Sequence, residues 1–209
     1  DIDGKKLYSD PRNVLEKLTQ DFRKDGIEVY GAFELEFFLV SNELDQFGKL
    51  QPSKSILGKK RSYIKTDVYS VDKLHEMLPL FDDIYEAAKI SDIEAETVIS
   101  EYAPGQFELT LKHQSNLLKA ADDIIRLKRI VRAQARSHGI TACFMAKPIE
   151  NASGSGMHFH ISMYDRKGKN LFLDKIKNKP NQNLLNSIGG LIQTMGESML
   201  VFAPHANSW

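Results

Sequence analysis

The stretch Gly154-Ser155-Gly156-Met157-His158-Phe159-His160-Ile161-Ser162-Met163 alternates in chemistry with a period of two. In an extended strand that period puts His158, His160 and Ser162 on one face and Met157, Phe159, Ile161 and Met163 on the other. A strand with one apolar face ordinarily turns lysines and threonines to water. This one turns out two imidazoles and a hydroxyl, and it is entered through a glycine-rich turn. Imidazole serves as a metal ligand, a donor to phosphate or a proton carrier. The competing reading is a solvated strand with two histidines on it, and the rest of the chain decides.

Working outward, Ile27 to Val40 reads as a strand of the same kind. Phe33, Leu35, Phe37 and Leu39 share one face, and Glu34 and Glu36 share the other. Two carboxylates that close on one face of an apolar strand repel each other and call for a cation. Glu94 to Glu101 and Gln106 to Lys112 read as a hairpin around Tyr102–Gly105, which brings Glu101 and Glu108 to one end with Phe107, Leu109 and Leu111 behind them. Four carboxylates and His158 thus sit on polar faces of otherwise apolar strands. An oxygen-rich set with one nitrogen suits a pair of hard divalent cations, Mg²⁺ or Mn²⁺, which would clamp phosphate oxygens for phosphoryl transfer.

Helices alternate with these strands. Ser9-Asp10-Pro11 starts one that ends at Gly26, with Val14, Leu15, Leu18 and Phe22 as its stripe. Asp72 caps a second, running to about Ile90 with Leu74, Leu78, Phe81, Ile84, Tyr85 and Ala88 inward, and Pro79 should kink or split it. A long helix from Ser115 to His138 has Leu117, Leu118, Ala121, Ile124, Ile125, Leu127 and Val131 as its apolar positions and a solvated basic face. Ile140 to Lys147 is a further strand, Asp165–Gly168 a hairpin turn, and Asn183 to Phe202 a last helix interrupted or softened at Gly189-Gly190. Ser41 to Tyr69 is irregular, with Lys59-Lys60-Arg61 as a loop tip. Because several strands are joined by hairpins, the expected class is α+β: a curved, mainly antiparallel sheet backed by helices.

The 209 residues carry 28 Lys plus Arg against 28 Asp plus Glu, so no net charge draws the chain to nucleic acid or an anionic membrane. One cysteine, Cys143, excludes an intrachain disulfide framework and fits a cytoplasmic compartment. No apolar run reaches spanning length. The chain starts at Asp1 and stops at Trp209, which reads as a piece of a longer protein.

Taken together the segments resemble the glutamine synthetase superfamily. Gly31 to Leu39 is similar to its first glutamate motif and Glu101 to Glu108 to its second. Phe144 to Pro148 followed by Gly154 to His160 is similar to its third, and Asn207-Ser208 to the block after that. The pieces occur in the family's order from about Gly31 onward. The resemblance implies that residues 1–209 are a partial catalytic domain, incomplete at both ends. The N-terminal β-grasp domain would lie before Asp1, and the catalytic arginines and flexible glutamate loop beyond Trp209. It further implies that Glu36, Glu101 and Glu108 hold the metal nearest the substrate glutamate, and that Glu34 and His158 hold a second metal at the nucleotide phosphates. Ser153 and Gly154 would meet glutamate, and His160, Ser162 and Glu96 would meet ATP. The implied reaction passes the γ-phosphoryl group of ATP to glutamate and then forms an amide with ammonia or an amine. The implied assembly is a dodecameric ring, with the fragment inactive by itself.

One departure bears on the acceptor. Ile99-Ser100 precedes Glu101 where typical glutamine synthetases have two histidines, and Asp82–Tyr85 and Gly105–Leu109 look more like γ-glutamylpolyamine synthetases. The reading leans to a primary amine or polyamine. Two alternatives stand beside it. One is a non-catalytic relative kept for structure or binding, which the retained carboxylates argue against. The other is a guanidino-group kinase, which needs a reactive cysteine where Cys143 sits between core-like Ala142 and Phe144.

Overall fold

The computed structural model describes residues 3–57, 68–174 and 179–208, so the Lys59-Lys60-Arg61 tip lies outside the described residues. The chain divides into two compact units, one of Asp1–Ala32, His113–Asp122 and Phe159–Pro204, the other of Phe33–Lys112, Asp123–His158 and His205–Trp209.

In the first unit, α1 (Pro11–Lys24) begins as the sequence predicts. Asp10 is extended and accepts a hydrogen bond from Arg12 N at 2.9 Å, Pro11 opens the first turn, and Arg23 and Lys24 close the last. Its inward side is narrower than the expected stripe: Val14 and Leu18 are exposed and Thr19 is buried, with its hydroxyl turned back onto Leu15 O. Arg12 fixes the helix by a two-pronged bond to Asp122 at 2.9 and 3.0 Å. Gly26, at φ +78°, turns the chain into β1 (Ile27–Val40).

The strand β5 (Met157–Asp165) pairs with β1. A methyl group on Gly31 would lie 2.4 Å from the Phe159 ring, so the glycine is what lets that ring lie across the strand. The predicted turn at Asp165–Gly168 is present: Gly168 N donates to Asp165 O and Asp165 N to Lys169 O. Short strands β6 (Leu173–Asp174) and β7 (Lys179–Pro180) pair, and α5 (Gln182–Phe202) follows with Asn181 as its cap. The expected interruption at Gly189-Gly190 is absent, since glycine keeps its N–H and C=O and the ladder continues through it. No residue of α5 is buried, and Met157, Phe159 and Ile161 on the apolar face of β5 are exposed too.

The second unit holds the core. The helix expected from Asp72 is two: α2 (Val71–Glu76), capped by Ser70 rather than Asp72, and α3 (Leu78–Ile90), with Pro79 in its first turn. Ser70 wins the cap because its backbone is extended and its hydroxyl accepts from Lys73 N, while Asp72 is already helical, two residues on in the first turn. The split rotates the register, so Leu80 is buried and Leu78 exposed. The hairpin comprises β2 (Ala95–Ser100) and β3 (Gln106–Leu111), and α4 (Leu117–Ser137) and β4 (Thr141–Cys143) complete the set.

The strand order is β2-β3-β1-β4, antiparallel at each of these pairings, with β5 also on β1. This is the predicted α+β class. Leu35, Phe37 and Leu39 join Phe107, Leu109 and Leu111 against Leu80, Phe81 and Ile84 of α3 and Ile124, Leu127, Val131 and Ala135 of α4. Ile125, expected inward, is exposed; Ala135 takes a buried place instead.

Strand β4 ends early because Ala146 O accepts from Ser155 N at 2.8 Å and the Lys147 ammonium donates to Ala152 O, which fold the chain into a loop. The basic face of α4 is less solvated than expected: Lys128 and Arg132 both lie 5.0 Å over the Phe144 ring. Cys143 packs with the small cluster of Phe38, Val40 and Ala103, as a small apolar residue would.

Phe37 is fully buried between Phe107 and Phe144, at ring distances of 6.5 and 5.5 Å. Phe37→Ala is therefore expected to lower stability by about 3–5 kcal/mol in urea denaturation, and a loss under about 1 kcal/mol would contradict this core assignment.

Candidate active site

The face of the sheet opposite the core carries the carboxylates. The β1–β3 register sets Glu36 directly against Glu108, and Glu34 two residues along shares that face. His158, at the start of β5, reaches across so that its Nδ1 lies 2.9 Å from Glu34 Oε2 and 4.0 Å from Glu36 Oε1. One ligand atom from each of Glu34, Glu108 and His158 can be chosen so that all lie within 4.8 Å of one another. Glu108 is only 7% exposed. Burial, and then the negative charges of Glu34, Glu101 and Glu36, push its carboxyl up to about 7, with His158 opposing.

Such a cluster is under electrostatic stress that a cation relieves. The donor set therefore fits a hard divalent ion: mostly oxygens, one imidazole, and a buried carboxylate that resists ionising by itself.

The structure groups the sequence-predicted residues unevenly. Glu34, Glu36, Glu108 and His158 come together, and the tightest trio cuts across the two-metal division that the resemblance implies. Glu101 is half-buried just after β2, and its Oε2 accepts from its neighbour Tyr102 N at 3.2 Å. Ser153 and Gly154 are held against Gln106: the Ser153 hydroxyl donates to Gln106 Oε1, and Gln106 Nε2 donates to Gly154 O at 2.9 Å. A Cβ on Gly154 would stand 2.8 Å from Ala146 O, so only glycine lets the loop lie this close.

Glu96 is exposed on β2 and lines an open groove of about 870 Å³ with Asp82, Tyr85, Glu86, Glu94 and Lys112. In the first unit, His160 is exposed, and Ser162 Oγ lies 3.3 Å from His113 Nε2, whose ring stacks with Tyr30. Ile99 is half-buried, and Ser100 is fully buried with its hydroxyl donating to Ser70 O.

Gln106 was legible in the sequence only as a member of the polar face of β3. It is the hub of the loop, and the signal that marks it is an uncharged amide at a buried position facing carboxylates.

The glutamine synthetase catalytic domain family matches residues 8–209. This chain belongs to that family. Within it, the chain is 41% identical over its whole length to the γ-glutamylputrescine synthetase PuuA of Escherichia coli (strain K12), 44% of which it covers. It is 33% identical to the glutamine synthetase of Pyrococcus horikoshii, over 99% of this chain and 43% of that protein. To a glutamate–isopropylamine ligase of a Pseudomonas species it is 29% identical, over 100% and 44%. The chain thus spans less than half the length of these curated relatives.

Among solved structures, a GmaS–ADP complex superposes with a TM-score of 0.80 at 26% identity, over 95% of this chain and 44% of that one. The cryo-electron-microscopy structure of Plasmodium falciparum glutamine synthetase shares the fold, with a TM-score of 0.80 at 24% identity over 99% and 44%. These relatives bear the names of glutamate ligases and glutamine or glutamylamine synthetases. Among the described residues no helix is long and apolar enough to cross a membrane.

Proposed function

We propose that this chain supplies the metal-holding part of an ATP-dependent ligase that joins the γ-carboxylate of glutamate to a primary amine. The observation that carries the reading is the carboxylate cluster with its imidazole, Glu34, Glu36, Glu108 and His158, on one face of a sheet of this family. Glu34, Glu36, Glu101, Glu108 and His158 would hold Mg²⁺ or Mn²⁺, and the ions would screen the negative charges of the two substrates and polarise phosphoryl oxygens.

Residues Ser153 and Gly154 would receive glutamate. His160, Ser162 and Glu96 would meet ATP. A carboxylate is a poor electrophile until one of its oxygens becomes part of a leaving group. The γ-phosphoryl group of ATP passes to a γ-carboxylate oxygen of glutamate and ADP departs; the amine nitrogen then bonds to that acyl carbon, loses a proton, and phosphate leaves. Arginines for both substrates would come from the remaining length that the relatives have, and copies of the whole protein would assemble into a ring-shaped homo-oligomer. We place the whole protein in the cytoplasm.

The lean to an amine over ammonia rests on the higher identity to the putrescine enzyme and on Ile99-Ser100, which put an aliphatic and a small hydroxyl side chain before Glu101. The test is glutamate-dependent ADP release by the whole protein with ammonia, putrescine and spermidine at limiting concentration. The expected result is a kcat/KM for a di- or polyamine at least about tenfold above that for ammonia, a gap of about 1.4 kcal/mol. Preference for ammonia would overturn the amine assignment and leave the ligase chemistry; no glutamate-dependent release with any of the three would overturn both.

A further inference from the structure

Gln106 opens β3 with its side chain on the carboxylate face and is 2% exposed. All four hydrogen-bonding capacities of its amide are used. Nε2 donates to Glu36 Oε2 at 3.0 Å and to Gly154 O at 2.9 Å, while Oε1 accepts from Ala103 N at 3.2 Å and from the Ser153 hydroxyl. These partners also fix which way round the amide sits. A carboxylate and a carbonyl oxygen only accept, and a backbone N–H only donates. Glu36 Oε2 takes a second donor, Gly156 N, at 3.1 Å, so one oxygen of that carboxylate is bound to the loop and the other, Oε1, faces His158.

Three of the four bonds therefore end on groups of the two proposed ligand sites: the Glu36 carboxylate on one side, Ser153 and Gly154 on the other. A displacement of the loop pulls on the Nε2 and Oε1 ends together and turns the Glu36 carboxylate. Fixing that carboxylate on a cation holds the amide, and with it the loop. A buried, fully bonded amide transmits such a shift instead of absorbing it, because each bond it loses leaves an unpaired polar group.

We propose that Gln106 is a positioning residue that couples occupancy of the carboxylate cluster by a divalent cation to capture of the amino-acid substrate by the Ser153–Gly154 loop. This rests on the ligase reading above. It predicts that in the whole protein glutamate tightens Mn²⁺ binding, and Mn²⁺ tightens glutamate binding, by one and the same factor, about tenfold.

The experiment is direct Mn²⁺ titration, read from the free-ion electron paramagnetic resonance signal, with and without glutamate. In Gln106→Met the factor should fall to near one while Mn²⁺ alone binds within a few-fold of wild type. Ser153→Ala removes one donor to the amide at a half-buried position and serves if Gln106→Met does not fold; it should reduce the factor to about threefold or less, although Ser153 bonds to no carboxylate in the cluster. A wild-type factor retained in either folded variant, even with a lowered melting temperature, overturns the coupling. So does a wild-type protein that binds Mn²⁺ equally with and without glutamate, and that result leaves the ligase reading standing. A wild-type protein that binds no Mn²⁺ overturns both.

Discussion

Glu36→Ala in the whole protein is expected to lower divalent-metal-dependent turnover by about a thousandfold or more, and Glu101→Ala to do the same, with the fold kept. For Glu36 the argument has two parts. Its Oε1 faces the imidazole of the cluster, so truncation removes an oxygen from the set offered to the ion. Its Oε2 also anchors Gln106 Nε2 and Gly156 N, so truncation leaves two donors without their acceptor beside the loop that holds Ser153 and Gly154. The second effect costs about 1–3 kcal/mol of stability, which the core built on Phe37 and Leu109 absorbs. Relief of repulsion with Glu108 partly offsets it. The measurement is ADP release at saturating ATP and glutamate over a Mg²⁺ and Mn²⁺ range, alongside a thermal melt. Wild-type turnover in both variants would remove Glu36 and Glu101 from the metal set. A loss confined to Glu36 would leave Glu101, whose Oε2 accepts from Tyr102 N, outside the metal set.

Strand β1 shows why much of this was legible. Its alternation of Phe33, Leu35, Phe37 and Leu39 with Glu34 and Glu36 is a local signal, and the strand runs from Ile27 to Val40 as that signal says. The hairpin around Gly105 and the split at Pro79 are likewise dictated by residues a few positions apart. The convergence of Glu34, Glu36, Glu108 and His158 followed from polar faces that share one sheet.

What stayed hidden depends on distant partners. Gln106 reads as one polar residue among several because Glu36 and Gly154 lie 70 and 48 positions away. Val14, Leu18, Ile125 and Phe159 have the pattern of inward residues, yet they are exposed. Periodicity marks which face is apolar, and only packing says what covers it. The end of β4 and the choice of Ser70 over Asp72 turned on one or two hydrogen bonds each, which propensity does not resolve.

Glu108→Gln is expected to do two opposite things: abolish metal binding and stabilise the metal-free protein above neutral pH. The wild-type Glu108 carboxyl is pushed up to about 7 by burial and by Glu34, Glu101 and Glu36. The folded form therefore keeps a proton that the unfolded chain has already lost above its ordinary carboxylate range. Stability is then fully present at low pH and is lost as pH rises toward and through 7. An amide has no proton to lose, so the variant's melting temperature should stay flat where that of wild type declines. By pH 8 the gap should reach about 1–2 kcal/mol, allowing for water around the open carboxylates, or roughly 3–6 °C.

Adding Mn²⁺ should reverse the order. The ion stabilises wild type increasingly from pH 5.5 to 8, because binding has to displace the Glu108 proton at the lower pH, and it leaves Glu108→Gln unmoved. Calorimetry in two buffers of different ionisation heat reads the same proton directly: close to one is released per ion bound at pH 6, and less at pH 8. A Glu108→Gln protein that Mn²⁺ stabilises as much as wild type would place the ion elsewhere. A wild type whose metal-free melting temperature does not fall between pH 5.5 and 8 would mean that Glu108 is already ionised across that range.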